Sequence, residues 1–230
     1  MKTGLFICDH VNQEFQAEFG DYPDMFAALF PELEFKLYEA SKGEFPENLD
    51  ECDLYMATGS RLSVYDDVPW ISELKATIKR IHDQQKKFVG FCFGHQLMAE
   101  ALGGRVAKSP NGWTVGVHRF VVSKQQAWME PFQPAFNLLM MCQDQVLDLP
   151  EGARLLAGNA QCPVGMFQVG EHMLGIQAHP EYPKAYDQMF METRIDRMGE
   201  DVVKKGIASL ELEVHQALVR SWVLEFVGFK

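Results

Sequence analysis

The sequence predicts an α/β fold, a doubly wound and mostly parallel sheet with helices on both faces. Two observations support this fold class. Short apolar runs alternate along the chain with segments in which apolar residues recur at helical spacing, and this alternation is typical of parallel strands joined by crossover helices. Hydrophobic residues make up 47% of the 230 residues, which is enough for a packed core and argues against disorder.

The first half of the chain supplies the regular part of the pattern. Asp21 is suited to cap the N-terminus of the first helix, and the Gly103-Gly104 pair is suited to end the third. The predicted elements are a strand at Leu5–Cys8, a helix at Tyr22–Leu29, strands at Phe35–Tyr38 and Leu54–Thr58, a helix at Trp70–Gln84, a strand at Phe88–Phe91 and a helix at Gly94–Leu102.

The second half is less regular and predicts a smaller antiparallel portion. The stretch Gly170-Glu171-His172 separates two apolar runs closely enough to indicate a hairpin. The predicted strands are Gly116–Val122, Arg154–Ala157, Met166–Val169 and Leu174–Ala178.

After Pro183 the pattern becomes helical, and a single helix is predicted over Leu210–Phe226. Its apolar stripe, spaced by four, is expected to pack on the domain rather than on a partner. Because the sequence has no internal repeat and no Ser/Gly linker, we expect residues 1–230 to form one domain, with a core at about 3–183 and a helical extension at 184–230. The stripe consists of Leu210, Val214, Leu218 and Trp222.

Charge and cysteine usage exclude several classes of protein. Lys plus Arg is 21 and Asp plus Glu is 32, so the net charge is −11. A surface this acidic repels nucleic acid and anionic lipid, so we expect neither as a partner. The five cysteines are odd in number and contain no Cys-x-x-Cys pair, which argues against a disulfide framework or a zinc site and favours the reducing cytoplasm. No apolar run is long enough for a signal peptide or a membrane span.

The most informative stretch is a Gly-x-Cys-x-Gly sequence between a predicted strand and a predicted helix. A sharp turn at this point would lift the side chain of Cys92 above the carboxyl edge of the sheet, and the flanking Gly90 and Gly94 would leave room for it. The helix N-terminus favours the thiolate, which is the nucleophilic form. The N–H of Phe93 would be placed to donate to an oxyanion. A buried cysteine in an ordinary turn is the alternative, and the two glycines argue against it.

A cysteine nucleophile needs a base, and the base needs an orienting group. Of the seven histidines, His179 has the most suitable context, because it follows a predicted strand and Glu181 comes two residues later. Residues i and i+2 at the end of a strand project to the same side, so Glu181 is expected to hold the His179 ring. His95 is adjacent to the turn, but its helical position is expected to direct it away from the sulfur.

A third component follows the predicted strand Leu54–Thr58. The Gly59-Ser60 turn can direct backbone N–H groups inward as further oxyanion donors. Such turns are common, so this signal is weak by itself.

Together these motifs resemble the class I glutamine amidotransferase family, and in particular its stand-alone, GMP-synthase-like branch. The stretch Gly90–Gln96 is similar to the family's nucleophile motif, and Gly175–Glu181 is similar to its histidine–glutamate motif. Thr58–Ser60 resembles its oxyanion loop. The resemblance covers about Leu5 to Pro183 and implies a flavodoxin-like arrangement of the sheet.

The resemblance also implies a role for each matching residue. Cys92 would attack the γ-carboxamide of glutamine and form a γ-glutamyl thioester, His179 would transfer protons, and Glu181 would orient His179. The oxyanion would be held at Phe93 and the Gly59-Ser60 turn. The implied contacts with substrate are Gln96, Cys142 and Asp144. No cofactor and no metal are implied.

Two positions depart from the family pattern. Arg61 stands where many members have proline, and it could alter the rigidity of the loop, reach an anionic substrate group or be solvated. Cys142 stands where many members have histidine, in a segment near the substrate. This change could alter which γ-glutamyl compound fits.

Three functions remain open. The leading hypothesis is a glutaminase subunit that releases ammonia for a partner synthetase; the chain has no Gly-x-x-x-x-Gly-Lys nucleotide loop of its own. The alternative is a stand-alone hydrolase or peptidase acting on a γ-glutamyl amide, for which the acyl half of the reaction is the same. The third is a non-catalytic sensing or binding protein, against which the intact Cys92, His179 and Glu181 argue.

Overall fold

A computed structural model describes residues 1–229. The strands are β1 Lys2–Phe6, β2 Glu34–Tyr38, β3 Leu54–Ala57, β4 Lys87–Phe91, β5 Arg105–Lys108, β6 Thr114–Val122, β7 Ala135–Cys142, β8 Asp144–Asp148, β9 Arg154–Gly158, β10 Met166–Val169 and β11 Met173–Ile176. The helices are α1 Gln13–Phe19, α2 Tyr22–Leu29, α3 Pro69–Asp83, α4 Phe93–Ala101, α5 Lys184–Glu192, α6 Ile195–Met198, α7 Glu200–Ser209 and α8 Gln216–Val227, with 3₁₀ turns at Ala40–Lys42 and Leu49–Glu51.

Nine strands form one sheet in the order β2-β1-β3-β4-β11-β10-β9-β6-β7, and β5 pairs with β8 separately. The first five strands of this order are parallel, and the remaining pairs are antiparallel. The parallel half has the 2-1-3-4 order of flavodoxin-like folds. The predicted α/β class, with a smaller antiparallel portion, is therefore confirmed.

Successive side chains of the parallel strands pack alternately on the two faces of the sheet, as strand geometry requires. Leu5 of β1 lies in the cluster formed with α2 and α8. Phe6, its neighbour, lies in the cluster formed with α3 and α4 on the other face. A third cluster joins β6 and β7 to α2, α5 and α7. Helices thus cover both faces, as the sequence predicted.

Local signals in the sequence place several elements correctly. The carboxylate of Asp21 caps α2 by accepting from the N–H of Tyr22 at 2.8 Å. Helix α4 ends at the predicted glycine pair, where Gly103 has φ +93° and the Gly104 N–H donates to Ala99. The predicted hairpin joins β10 to β11 in antiparallel pairing.

Several boundaries were predicted wrongly. The first strand is Lys2–Phe6 rather than Leu5–Cys8. Strand β11 ends at Ile176 rather than at the predicted Ala178. Leu210–Phe226 is not one helix: α7 ends at Ser209 and α8 begins at Gln216. Between these helices the chain is hydrogen-bonded to β7. The His215 backbone N–H donates to the carbonyl of Asn137, and the side-chain amide of Asn137 donates to the carbonyl of Glu213.

The sequence did not reveal α1, β5, β7 or β8. Strand β7 is the most important of these because six of its eight residues, including the last five, are buried, and it brings Met141 and Cys142 to the edge where the parallel strands end. In the part of the chain that the structure describes, no helix is long and apolar enough to cross a membrane.

Candidate active site

The candidate site lies at the carboxyl edge of the parallel strands, where ligands of open α/β sheets bind. Each of the central strands contributes the residues that follow it. Asp9 and His10 follow β1, Gly59 follows β3, and Cys92 follows β4. His179 follows β11 and pairs its backbone with β7, through an N–H that donates to Leu139 at 2.9 Å.

Cys92 occupies a sharp turn between β4 and α4. Its φ of 47° and ψ of −98° are strained for a residue with a side chain, and such strain is concentrated at functional sites. A Cβ atom on Gly90 would lie 2.4 Å from the backbone of Gly94, and one on Gly94 would lie 2.8 Å from Ala57. Both glycines are therefore required for the turn to fit under the neighbouring strand.

His179 and Glu181 form a buried pair beside this turn. Nδ1 of His179 lies 2.8 Å from Oε1 of Glu181, and both side chains are almost fully buried. Tyr182 stacks on the imidazole with ring centroids 3.9 Å apart. The other ring nitrogen, Nε2, has no nitrogen or oxygen partner within residues 1–229, and the Cys92 sulfur is close enough to interact with the ring.

The pKa values of this group are coupled. Burial raises the pKa of the Cys92 thiol, and the neighbouring His179 opposes that rise. Burial alone would lower the pKa of His179, but the Cys92 sulfur and the Glu181 carboxylate outweigh it and raise the pKa to about 10. The pKa of His179 is high because the Glu181 carboxylate, and the Cys92 sulfur when it is ionised, stabilise the charged form of the imidazole.

The three predicted oxyanion donors lie around Cys92. A Cβ on Gly59 would lie 3.2 Å from Cε1 of His179 and 3.9 Å from Cβ of Cys92. Ser60 lines the same cavities as Cys92. Phe93 is the first residue of α4, where helix geometry leaves an N–H without an intrahelical acceptor.

Two cavities meet at Cys92. The larger, of about 170 Å³, is also lined by Gln96, Cys142 and Asp144, the three residues predicted to contact substrate. The smaller, of about 40 Å³, is lined by His179 and by Asp9 and His10. Among residues 1–229 no group of three His, Cys, Asp or Glu side chains is arranged to hold a metal ion.

The predicted contact residues are held rigidly. The Gln96 amide donates to the backbone of Asp144 at 2.7 Å and to Gln177 at 3.1 Å. The Asp144 carboxylate accepts from Ser63 at 2.5 Å and from the Tyr65 hydroxyl at 3.0 Å. One wall of the larger cavity therefore carries an anchored amide and an anchored carboxylate.

Comparison with known proteins identifies the family of the chain. The family model described as glutamine amidotransferase class-I matches residues 47–196. The chain belongs to this family. Among its curated relatives, gamma-glutamyl peptidase 3 of Arabidopsis thaliana is 32% identical over 80% of this chain and 78% of the relative. A glutamine-hydrolyzing GMP synthase chain of Saccharolobus solfataricus is 29% identical over 59% of this chain and 70% of the relative.

The solved structures agree on the fold. A glutamine amidotransferase from Thermotoga maritima has a TM-score of 0.79 and 22% sequence identity, and the match covers 98% of each chain.

Arg61 is one of the two departures of this chain from the pattern of the amidotransferase family. Its backbone N–H and its Nε both donate to Asp9, at 2.9 and 2.7 Å, and Nη2 donates to the carbonyl of His10 at 2.9 Å. The side chain thus ties the loop after β3 to the end of β1. This contact favours the interpretation that Arg61 stiffens the loop.

The second departure, Cys142, lies at the end of β7 and lines the larger cavity. Burial raises the pKa of its thiol well above the ordinary value. The side chain is therefore a neutral, small group on the cavity wall, and it leaves more room there than an imidazole would.

The amidotransferase-family site also contains residues that sequence reasoning missed. Tyr182 is beside the histidine motif. Phe190 on α5, Arg194 in the turn before α6 and Arg197 on α6 belong to the helical extension expected after Pro183, for which no role in the site was predicted. Trp113 lines the larger cavity as well. Nothing in their spacing indicated this position, because it depends on how α5 and α6 fold back over β7.

His95 was predicted to point away from the sulfur. Its ring packs edge-on against Phe167, with centroids 4.9 Å apart, and Nδ1 would lie 2.8 Å from a Cβ on Gly175. Burial lowers the pKa of His95 to about 3, so its imidazole is neutral. It lines neither cavity.

Proposed function

We propose that this amidotransferase-family chain is a stand-alone γ-glutamyl peptidase, a hydrolase that cleaves the amide bond between a γ-glutamyl group and a small amine, amino acid or peptide. The observation that carries the proposal is the cavity of about 170 Å³ beside Cys92 and the anchored Gln96 and Asp144, joined at Cys92 by the smaller cavity beside His179. Their combined space would hold an acyl group and a leaving amine larger than ammonia. The relative named gamma-glutamyl peptidase 3 supports the same function.

The reaction would begin with attack of the Cys92 sulfur on the γ-carbonyl carbon. The thiol proton would pass to Nε2 of His179 as the S–C bond forms, and the N–H groups of Phe93 and of the Gly59-Ser60 turn would hold the oxyanion. The C–N bond would then break, and His179 would return the proton to the departing amine. The product of this half is a γ-glutamyl thioester on Cys92.

Water would complete the cycle. His179 would take a proton from the water as it attacks the thioester carbon, the C–S bond would break, and the proton would return to Cys92. Glu181 would act through its bond to Nδ1, which fixes the ring and stabilises the imidazolium that forms in both halves. The glutamate formed by this hydrolysis would leave from the larger cavity.

All five cysteines are free and buried. That state suits a reducing compartment, and we infer a cytoplasmic location for the protein. Its substrate would be a small molecule that reaches the two cavities.

The decisive experiment is steady-state hydrolysis of glutamine, γ-glutamylalanine and the isomeric α-glutamylalanine, with Cys92→Ala as the control variant. Turnover of γ-glutamylalanine that exceeds turnover of glutamine, is absent for the α isomer and is lost in Cys92→Ala would support the proposal. Weak turnover of all three would instead favour the leading hypothesis of the sequence, a glutaminase subunit that needs a partner synthetase. Equal turnover by Cys92→Ala would contradict both.

A further inference from the structure

The cavities around Cys92 are positively charged in a protein whose net charge is −11. Their lining contains two carboxylates, of Asp9 and Asp144, and more cations than these can neutralise. The cations are Arg61, Lys108, Arg194 and Arg197. Since the rest of the surface repels anions, this concentration of positive charge indicates a local preference for an anionic ligand.

The cations differ in how they are paired. Arg61 forms an ion pair with Asp9 and ties the loop after β3 to the end of β1. Lys108 and Arg197 are exposed, so water can solvate them. Arg194 is half-buried and forms no ion pair with any carboxylate of residues 1–229. Within the described residues, its one side-chain hydrogen bond is from Nη1 to the Thr193 hydroxyl at 3.3 Å.

The position of Arg194 is fixed despite this lack of a partner. The guanidinium carbon lies 3.4 Å from the centroid of the Phe190 ring, and Phe190 lines both cavities as well. Stacking on an aromatic ring holds the planar group in place while its remaining N–H donors stay available. Burial lowers the pKa of Arg194, and the nearby Arg197 and Arg61 add to the effect, so an anion at this place would relieve an unfavourable charge.

Arg194 lines both cavities. It shares the smaller one with His179, which would protonate the leaving amine. The groups expected to hold the acyl part, Gln96 and Asp144, line only the larger one, so Arg194 extends beyond them to the place of the leaving amine.

We infer that Arg194 binds the free carboxylate of the amino acid or peptide that leaves from the γ-glutamyl group. The inference rests on the proposed function and adds its substrate class, a γ-glutamyl peptide with a free α-carboxylate rather than a neutral γ-glutamyl amide. The guanidinium fork can hold both carboxylate oxygens at once. This contact would place the scissile nitrogen beside His179.

The test compares two substrates that differ only in that carboxylate, γ-glutamylalanine and γ-glutamylalaninamide. For the wild-type protein we expect kcat/KM to be roughly 10- to 100-fold higher for the free acid, the range for a charged hydrogen bond made or lost. Arg194→Gln should remove most of this preference by lowering kcat/KM for the acid alone. Arg194→Lys should restore part of it, because the charge returns without the fork.

The matched control is Arg119→Gln, which makes the same change of charge on an exposed residue of β6 outside both cavities. This variant should leave kcat/KM unchanged for both substrates. Equal cleavage of acid and amide by the wild type would overturn the inference and leave the proposed function standing, as would an equal loss for both substrates in Arg194→Gln. No Cys92-dependent cleavage of either substrate would overturn the proposed function together with the inference.

Discussion

At the scale of single residues, two histidines on either side of one turn have opposite environments. His179 lies between the Cys92 sulfur and the Glu181 carboxylate, and its pKa is raised to about 10. His95 lies among apolar groups, and burial lowers its pKa to about 3. The first is suited to gain and lose a proton during a reaction, and the second is suited to stay neutral.

This difference predicts different effects of replacing each imidazole. His179→Ala should reduce kcat for a γ-glutamyl substrate by at least about 10³-fold, because the base that accepts the thiol proton is lost. His95→Ala should retain much of the activity and instead lower the free energy of unfolding, by about 1–3 kcal/mol, since it leaves a cavity beside Phe167. Urea unfolding together with steady-state kinetics separates the two. An equal loss of activity in both variants would show that His95 takes part in the chemistry.

The core of the site was predictable from residues because its signals are local in the chain. The glycines around Cys92 and the two-residue spacing of His179 and Glu181 each lie within one short stretch. The C-terminal wall was not predictable. Phe190 and Arg194 reach the cavities through the packing of α5 and α6 over β7, and no local pattern encodes that packing.

At the scale of elements, the ends of three strands and a helix are tied together by His10. Its Nδ1 lies 2.5 Å from the Asp21 carboxylate at the start of α2, and Nε2 lies 2.9 Å from Glu39, which follows β2. Arg61, from the loop after β3, donates to the His10 carbonyl. The sequence context of His10 showed nothing of this, because both carboxylates are distant in the chain.

The His10 cluster predicts a pH-dependent contribution to stability. Burial lowers the pKa of His10, but the bonds to Asp21 and Glu39 outweigh burial and raise it above 6.5. The contribution is therefore complete below about pH 6.5 and is lost as the pH rises through the higher pKa of the folded state. His10→Gln should lower the free energy of unfolding more at pH 6 than at pH 9.5, by about 1 kcal/mol or less because the group is partly exposed.

Urea unfolding of wild type and variant at the two pH values measures this difference. The control is Lys79→Gln, which removes an exposed ion pair with Asp83 and should have the same small effect at both. A larger effect of His10→Gln at the higher pH would mean that the ring is held in its neutral form.

Element types were predicted better than element boundaries. The helices α2, α3 and α4 and the parallel strands have strong local periodicity or caps, and the sequence places them within a few residues. Strand β7 is an almost continuous apolar run, and its pairing with β6 depends on tertiary contacts. The stripe from Leu210 to Trp222 has helical spacing, yet bonds between its middle and β7 break the helix. Local preference was overridden in both cases by contacts remote in sequence.

At the scale of the whole molecule, the C-terminal segment belongs to the core as well as to the site. We expected a core at about 3–183 and a helical extension after it. In the structure α8 contributes Val219, Trp222 and Val223, all fully buried, to the same cluster as Leu5 and Phe91 of the central strands. Helices α5 and α6 supply one wall of the cavities. Truncation after Pro183 would therefore expose the core and open the site together.

Trp222 provides the sharpest test of that integration. It is fully buried, its ring packs edge-on against Phe136 of β7 at 5.3 Å, and its indole N–H donates to the carbonyl of Pro131 at 3.0 Å. Trp222→Ala should lower the free energy of unfolding by about 3–5 kcal/mol, since it removes a large apolar group and leaves a cavity. Leu212, which is 52% exposed, offers the matched control, and Leu212→Ala should change stability by less than about 0.5 kcal/mol. Urea unfolding followed by circular dichroism measures both changes in stability. Similar unfolding midpoints for the two variants would mean that α8 does not contribute to the core. If the prediction holds, Trp222→Ala must still unfold in a single cooperative transition. The strands that carry Cys92 and the helix that carries Trp222 would then unfold as one unit.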